Sequence, residues 1–298
     1  MNKQKNAKLM LSISMIIFGT IGAFTRAIDV SSGELALYRA VMAVILLLGF
    51  FTVTRQKIEL RAIKKELWLL LLSGMAMGVN WILLFEAYKY TTISAATLSY
   101  YFAPVIVTVA CPLLFKEKIT PKQILCFVLS TIGLVLVILF EEKLNLDAVN
   151  LLAGREHLIG VLFGLGAAVF YATVILLNKC IKQVAGIQRT FLQFVAAIMI
   201  LVPYVACTGG VQLGGLNGKG WICLVIVGVI HTGITYCMYF TSLKELKGQE
   251  ISILSYLDPL VAVLVSVVVL GEQMTWLQVL GGVLILGCTL WNELGQQT

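Results

Sequence analysis

Ser255 to Thr275 reads SYLDPLVAVLVSVVVLGEQMT, and Ser99 to Thr120 reads SYYFAPVIVTVACPLLFKEKIT. Displaced by 155 positions, Tyr101 falls on Tyr256, Pro104 on Pro259, Glu117 on Glu272, Thr120 on Thr275 and Gln123 on Gln278. Further upstream, Gly78 meets Gly233, Phe85 meets Phe240 and Lys89 meets Lys244. Coincidences among apolar residues would carry little weight, but Pro, Glu, Lys and Gln at one displacement point to a duplicated chain. The copies differ at one place that matters chemically: Asp258 stands where the first copy has Ala103.

Both stretches belong to long apolar runs. Of 298 residues, 59% are hydrophobic and 12% charged, against roughly 25% charged in a soluble domain. A bilayer core needs about 20 consecutive apolar residues per helix. Ten such runs lie near 9–27, 35–53, 67–87, 94–115, 123–140, 158–178, 189–207, 220–242, 252–270 and 276–292. They are continuous rather than alternating, which favours helices over barrel strands. The expected fold is all-α and integral to the membrane, with ten transmembrane helices and no soluble catalytic domain. The polar stretch from Glu141 to His157 reads as a surface loop.

The net charge of +7 is explained by where it lies. Alternate connections hold sixteen Lys and Arg, and the others hold four, Lys89, Lys143, Arg155 and Lys219; Arg26 and Arg39 remain inside or at the ends of spans. By the positive-inside rule both termini are cytoplasmic in a cell membrane. A basic amino terminus before an apolar run resembles a signal peptide, but the run is long enough to span and is read as retained. Five crossings per copy make the second copy enter from the opposite face. Residues 1–147 and 148–298 are thus expected to form two inverted five-helix repeats, an organisation typical of carriers with a site at the repeat interface near the midplane.

The proline-bearing fourth span ending in KEKIT and its partner PLVAVLVSVVVLGEQMTWLQVLGGVLILG resemble the EamA-type branch of the drug/metabolite transporter superfamily, over nearly the whole chain. The resemblance implies a ten-helix bundle with a central cavity lined mainly by helices 1, 3, 4, 6, 8 and 9. It also implies transport, in either direction, of amino acids, other metabolites or drugs.

Several residues are candidates for substrate binding. Asp258 is an ionisable group inside a span, where such groups are costly and face a cavity or a partner; it would hold a substrate cation or a coupling proton, or else cap a helix beside Pro259. Pro104 and Pro259 each remove a helical hydrogen bond and read as hinges or as structural kinks. His231 would relay protons or sit satisfied in the core. Asn80 and Trp81 match Thr235 and Tyr236, a polar and an aromatic group at equal depth in each half, suited to an ammonium-binding pocket or to packing. Tyr100, Tyr101, Tyr171 and Tyr256 are pocket or interface tyrosines, and Phe18 and Phe170 are pocket walls or packing groups.

Arg39, with Glu34, Arg26 and Asp29, is expected to form a structural ion-pair cluster at the outer mouth, with an anion-attracting vestibule second. Glu117 and Glu272 read as helix caps or gate anchors. The GxxxG at Gly160–Gly164 suits a dimer interface or internal packing, so monomer and homodimer stay open.

Seven cysteines without a CxxC pair read as buried hydrophobes, with no metal site. The chain has no Walker phosphate loop, HExxH or GxSxG, so neither ATP hydrolysis, a cofactor nor enzymatic chemistry is expected. The basic loops orient the protein against the lipid bilayer rather than binding nucleic acid. The expected activity is secondary active transport of a small polar metabolite, an amino acid or related amine, leaning to export and with optional proton coupling. A carrier of cationic amines or drugs is the alternative of the same type. A lipid flippase or a membrane partner without solute turnover is the alternative of another class.

Overall fold

The structure is a computed structural model that describes residues 2–55, 60–115, 120–139, 148–184, 186–243, 245–246, 251 and 254–295. It is a bundle of helices: α1 (Asn2–Thr25), α2 (Ser32–Thr54), α3 (Leu60–Tyr90), α4 (Ile93–Tyr100), α5 (Ala103–Phe115), α6 (Pro121–Leu139), α7 (Ala148–Cys180) and α8 (Gly186–Cys207) come first. They are followed by α9 (Gly218–Val225), a π-helical stretch (Ile226–Ile234), α10 (Thr235–Leu243), α11 (Leu257–Val268) and α12 (Trp276–Gly295). No strand occurs among the described residues.

Among the described residues, eight spans are long and apolar enough to cross a membrane, and the shorter apolar helices Leu257–Val268 and Trp276–Trp291 complete ten crossings. The fourth crossing is α4 with α5; the eighth is α9, the π-helical stretch and α10. Large apolar side chains face outward along the bundle, among them Ile45, Val53, Leu113, Leu264 and Val283. Such a surface is stable against lipid and not against water.

The sequence repeat reappears as local geometry. Thr120 and Gln123 cap α6 reciprocally, with Thr120 N donating to Gln123 Oε1 (2.7 Å) and Gln123 N to Thr120 Oγ1 (3.3 Å). Thr275 and Gln278 do the same at the head of α12, at 3.1 and 3.3 Å. Five crossings separate the two caps, so they sit at opposite ends of the bundle, and the two halves run in opposite senses.

Three expectations change. The stretch from Glu141 to His157 is not a loop throughout: 140–147 lie outside the described residues, as does the boundary side of the first repeat at 147, but from Ala148 onward the chain is helical. Ala, Leu, Glu and Arg there are good helix formers, and His157 is buried with Nδ1 2.6 Å from Thr91 Oγ1. The fourth crossing is not continuous either, since the chain turns at Tyr101 and Phe102. Pro104 therefore stands in the first turn of α5 and Pro259 in the first turn of α11, where a missing N–H removes no helical bond. They open new helical segments after a break.

The GxxxG glycines are used inside the bundle. A Cβ at Gly160 would meet Thr91, and one at Gly164 would meet Ser99 and Ala96, so this stripe packs α7 on α4. Gly133 and Gly281 cross backbone to backbone where α6 meets α12, each pressing on the other's carbonyl. Gly281→Val is expected to cost about 1–3 kcal/mol by overpacking and to lower the unfolding midpoint in detergent. Gly287→Ala, where the added carbon meets nothing within 4 Å, is expected to leave the midpoint unchanged or slightly raised.

Candidate functional site

A cavity of about 860 Å³ lies between the two halves. Its walls come from the crossings implied by the family resemblance, joined by Arg39 of α2 and by Arg189, Thr190 and Gln193 of α8. Toward the end of the bundle where α1 begins and α12 ends, the lining reaches Gln123, Lys179, Arg189, Ile251 and Thr289. Toward the opposite end it stops near Tyr88 and Thr97 and includes no residue of the connections there. Among the described residues, the lining thus reaches the terminal end and not the opposite one.

At its centre the two interrupted crossings meet. The break at Tyr101–Phe102 and the turn at Tyr256 occupy matching places in the two repeats. Tyr101 caps the end of α4, and its hydroxyl donates to Asp258 Oδ2 at 2.6 Å. Asp258 lies in the first turn of α11, where the helix dipole favours an anion. Gly19 of α1 lets that helix close directly on the Asp258 carbonyl. The acid is therefore stabilised by one hydroxyl and one helix start. Among the described residues that line the cavity it is the sole carboxylate.

Aromatic rings form much of the wall. Tyr100 packs on Tyr101 edge-on at 5.6 Å and on Tyr171 at 5.2 Å. Tyr236 packs on Phe18 at 5.1 Å and on Phe194 at 5.2 Å. Asn80 lines the cavity but commits its amide, with Nδ2 donating to the Ala167 carbonyl at 2.7 Å. Of the predicted residues, Asn80, Trp81, Tyr101, Tyr171, Tyr236, Tyr256, Asp258 and Pro104 line this one space.

His231 and Pro259 do not. The His231 ring is buried against Phe24 at 5.1 Å, with Nε2 2.9 Å from Thr20 Oγ1 and Nδ1 3.3 Å from the Ile226 carbonyl. It belongs to the α1–π-stretch contact. Phe170 likewise is absent from the lining, whereas Phe18 is present.

The ion-pair cluster expected around Arg39 is not formed. Glu34 caps its own helix through Ser31, accepts from Gln212 N at 2.5 Å and receives the Tyr38 hydroxyl at 3.3 Å. Residues five apart on a helix point about 140° from each other, so Glu34 and Arg39 cannot share a face. Arg39 turns instead into the cavity. Its Nε donates to Thr232 Oγ1 at 2.9 Å, and its guanidinium lies over the Trp81 ring at 4.9 Å and the Phe85 ring at 5.9 Å.

Thr232 is delivered by the π-helical stretch, where its hydroxyl donates to the carbonyl of Val227, five residues back, at 2.9 Å. Thr235 does the same with Ile230 at 2.7 Å. Such stretches are rare and recur at functional sites.

The closed end is held by charge. Arg26 Nη1 lies 2.6 Å from Glu272 Oε1, and Arg26 Nη2 donates to the Thr91 carbonyl at 2.7 Å. Glu272 also accepts from Ile93 N at 3.0 Å and Ser94 N at 3.4 Å, and Ser94 Oγ touches Ser266 Oγ. Glu272 is thus both a cap on α4 and an anchor joining α1, α4 and the start of α12; its repeat counterpart Glu117 lies outside the described residues.

With a bundle of ten apolar crossings, opposed halves and a polar chamber between them, the molecule has the form of a multi-span membrane transporter. The profile of the EamA-like transporter family matches residues 6–139 and again 158–292, and the chain belongs to that family. The duplication seen in the sequence is thus two copies of one family unit.

Among curated relatives, the chain is similar to an uncharacterized transporter, YxxF, of Bacillus subtilis strain 168. The two are 32% identical over 286 residues, covering 95% of this chain and 88% of the relative. It is 29% identical over 210 residues to an uncharacterized transporter of Archaeoglobus fulgidus, 70% of each chain. It is 26% identical over 226 residues to the uncharacterized inner membrane transporter YhbE of Escherichia coli K12, covering 75% of this chain and 68% of that one. A solved crystal structure shares the fold at a TM-score of 0.65 and 16% identity, over 98% of this chain and 99% of the other.

The Arg26–Glu272 anchor generates a prediction about access. Glu272→Gln removes the charge that two amides and one guanidinium share; losing about 1.4 kcal/mol shifts a two-state ratio tenfold. A cysteine placed at Thr97, in a background without other cysteines, is expected to react with a membrane-impermeant maleimide only from the terminal end. With Glu272→Gln added, it is expected to react from both sides.

Proposed function

We propose that the protein is a secondary active carrier of the cell membrane that moves a small polar metabolite, an amino acid or related amine, by alternating access. The observation that carries this reading is Asp258: an acid at the junction of two interrupted helices, one from each half, facing a cavity of about 860 Å³. Cavities of roughly 300–1,000 Å³ suit ligands of amino-acid to drug size. A carboxylate that costs several kcal/mol to bury in the bilayer and serves a ligand ammonium or a coupling proton explains its position better than a cap does, since the equivalent Ala103 heads α5 without an acid.

The positive-inside count, sixteen basic residues against four, supports cytoplasmic termini. The cavity then faces the cytoplasm, and the direction proposed is export. Proton coupling falls to Asp258 rather than His231, whose ring is occupied outside the cavity. The hinges of the cycle are the two breaks that Pro104 and Pro259 follow. A second reading, a carrier of cationic amines, is favoured by the Tyr100, Tyr101, Tyr171 and Tyr236 rings around the acid.

In liposomes, purified protein is expected to exchange a labelled amino acid or amine and to respond to a pH gradient. Asp258→Asn is expected to cut that flux about tenfold or more, the consequence of at least 1.4 kcal/mol lost with a desolvated charge, and to abolish the pH response. Flux indifferent to both changes would remove the coupling claim. Lipid translocation without solute movement would replace the carrier reading with the flippase one.

A further inference from the structure

Arg39 of α2 is a cationic side chain in the wall of the cavity. It is 6% exposed. Its Nε is fixed by Thr232 and its plane by the Trp81 and Phe85 rings. Among the described residues no carboxylate pairs with it, and neither Nη group makes a hydrogen bond to the protein. A buried guanidinium with two idle N–H edges is costly unless something fills them. What matches a planar fork is a carboxylate, held by two parallel hydrogen bonds.

In the same cavity Asp258 shows the complementary deficit. Tyr101 occupies Oδ2, while Oδ1 has no hydrogen-bond partner among the described residues. The two charges line one space but do not form an ion pair with each other. One belongs to the first repeat and the other to the second. The remaining cationic lining groups, Lys179 and Arg189, lie at the last turn of α7 and the first of α8, at the open end.

We propose that Arg39 is the carboxylate receptor of the cavity and that, opposite Asp258, it makes this a site for zwitterions carrying both a free ammonium and a free carboxylate. The proposal rests on the carrier reading and narrows it. An amine without a carboxylate leaves the guanidinium desolvated and unpaired, and an acid without an ammonium leaves Asp258 so. Sites built to bond a polar group reject ligands that lack it far more strongly than apolar pockets reject a missing methylene. The bound zwitterion also bridges the two halves, so it loads both at once.

The test is counterflow in liposomes with labelled L-amino acids, their decarboxylated amines and the matching acids without the amino group. An amino acid is expected to exchange at least about tenfold faster than its own amine or acid. Arg39→Gln is expected to lower amino-acid exchange by about tenfold or more and, with no guanidinium left unpaired, to raise exchange of the amine, so that the preference for the carboxylate collapses. Arg39→Lys, which keeps the charge but not the fork, is expected to fall between. If Arg39→Gln fails to fold, the comparison of amino acid with amine in the unaltered protein and in Arg39→Lys decides.

Equal exchange of amine and amino acid by the unaltered protein, or undiminished amino-acid exchange by Arg39→Gln, overturns the assignment while leaving the carrier standing. Movement of none of the panel overturns the carrier reading and this assignment together.

Discussion

An acid placed in the middle of a bilayer has to be surrounded by whatever can stabilise it, and much of this structure is arranged around Asp258. The Tyr101 hydroxyl reaches it from the opposite half, 2.6 Å away. For that hydroxyl to arrive, the fourth crossing has to stop at Tyr100 and restart at Ala103. Asp258 itself stands in the first turn of α11, which starts at Leu257. One hydrogen bond thus depends on two helix breaks, and the breaks are what open a polar space in an otherwise apolar bundle. Gly19 is then needed to bring α1 over the junction.

The two ends of the bundle are built differently around this centre. At the closed end, charged and hydroxyl side chains are spent on backbone groups: Arg26 on the Thr91 carbonyl, Glu272 on the Ile93 and Ser94 amides, Lys89 on the Val30 carbonyl at 3.3 Å. At the terminal end, Glu66 accepts from Lys182, Gln183 and Val184 amides at 2.8–3.1 Å. Gln193 bridges Ser73 and Asn178 at 2.5 and 2.7 Å. These contacts tie α3, α7 and α8 into a unit that forms one wall of the opening without crossing it.

Much of this was legible in the chain. Ten apolar runs, an odd number per copy and the basic bias of alternate loops define the crossings and their opposition; the Pro residues read as kinks within continuous spans, whereas each stands just after a break. The paired Thr and Gln residues, read only as repeat markers, turned out to be matching caps.

What escaped was anything that depends on neighbours distant in sequence. Arg39 was assigned to Glu34 because the two are close along the chain, although the helical period separates them; the rule that singled out Asp258, that charge inside a span seeks a cavity, applies to it equally. The π-helical stretch has no pattern of its own beyond Gly228 and Gly233, which admit Met42 and Leu46 of α2. Its register becomes visible only through the side chains that bond five residues back. The helical start of α7 was hidden by polar residues that are equally at home in a loop.

The π-helical stretch sets one more condition on how the molecule behaves. By the repeat displacement, Ile226–Ile234 corresponds to residues 71–79 of α3, and those are ordinary α-helix throughout. A machine assembled from two faithful copies facing opposite ways would have two resting shapes of equal energy, related by a two-fold axis in the membrane plane. Winding one copy more loosely than the other breaks that degeneracy, so an empty molecule of this kind has a built-in preference for one shape, set by the backbone before any solute enters.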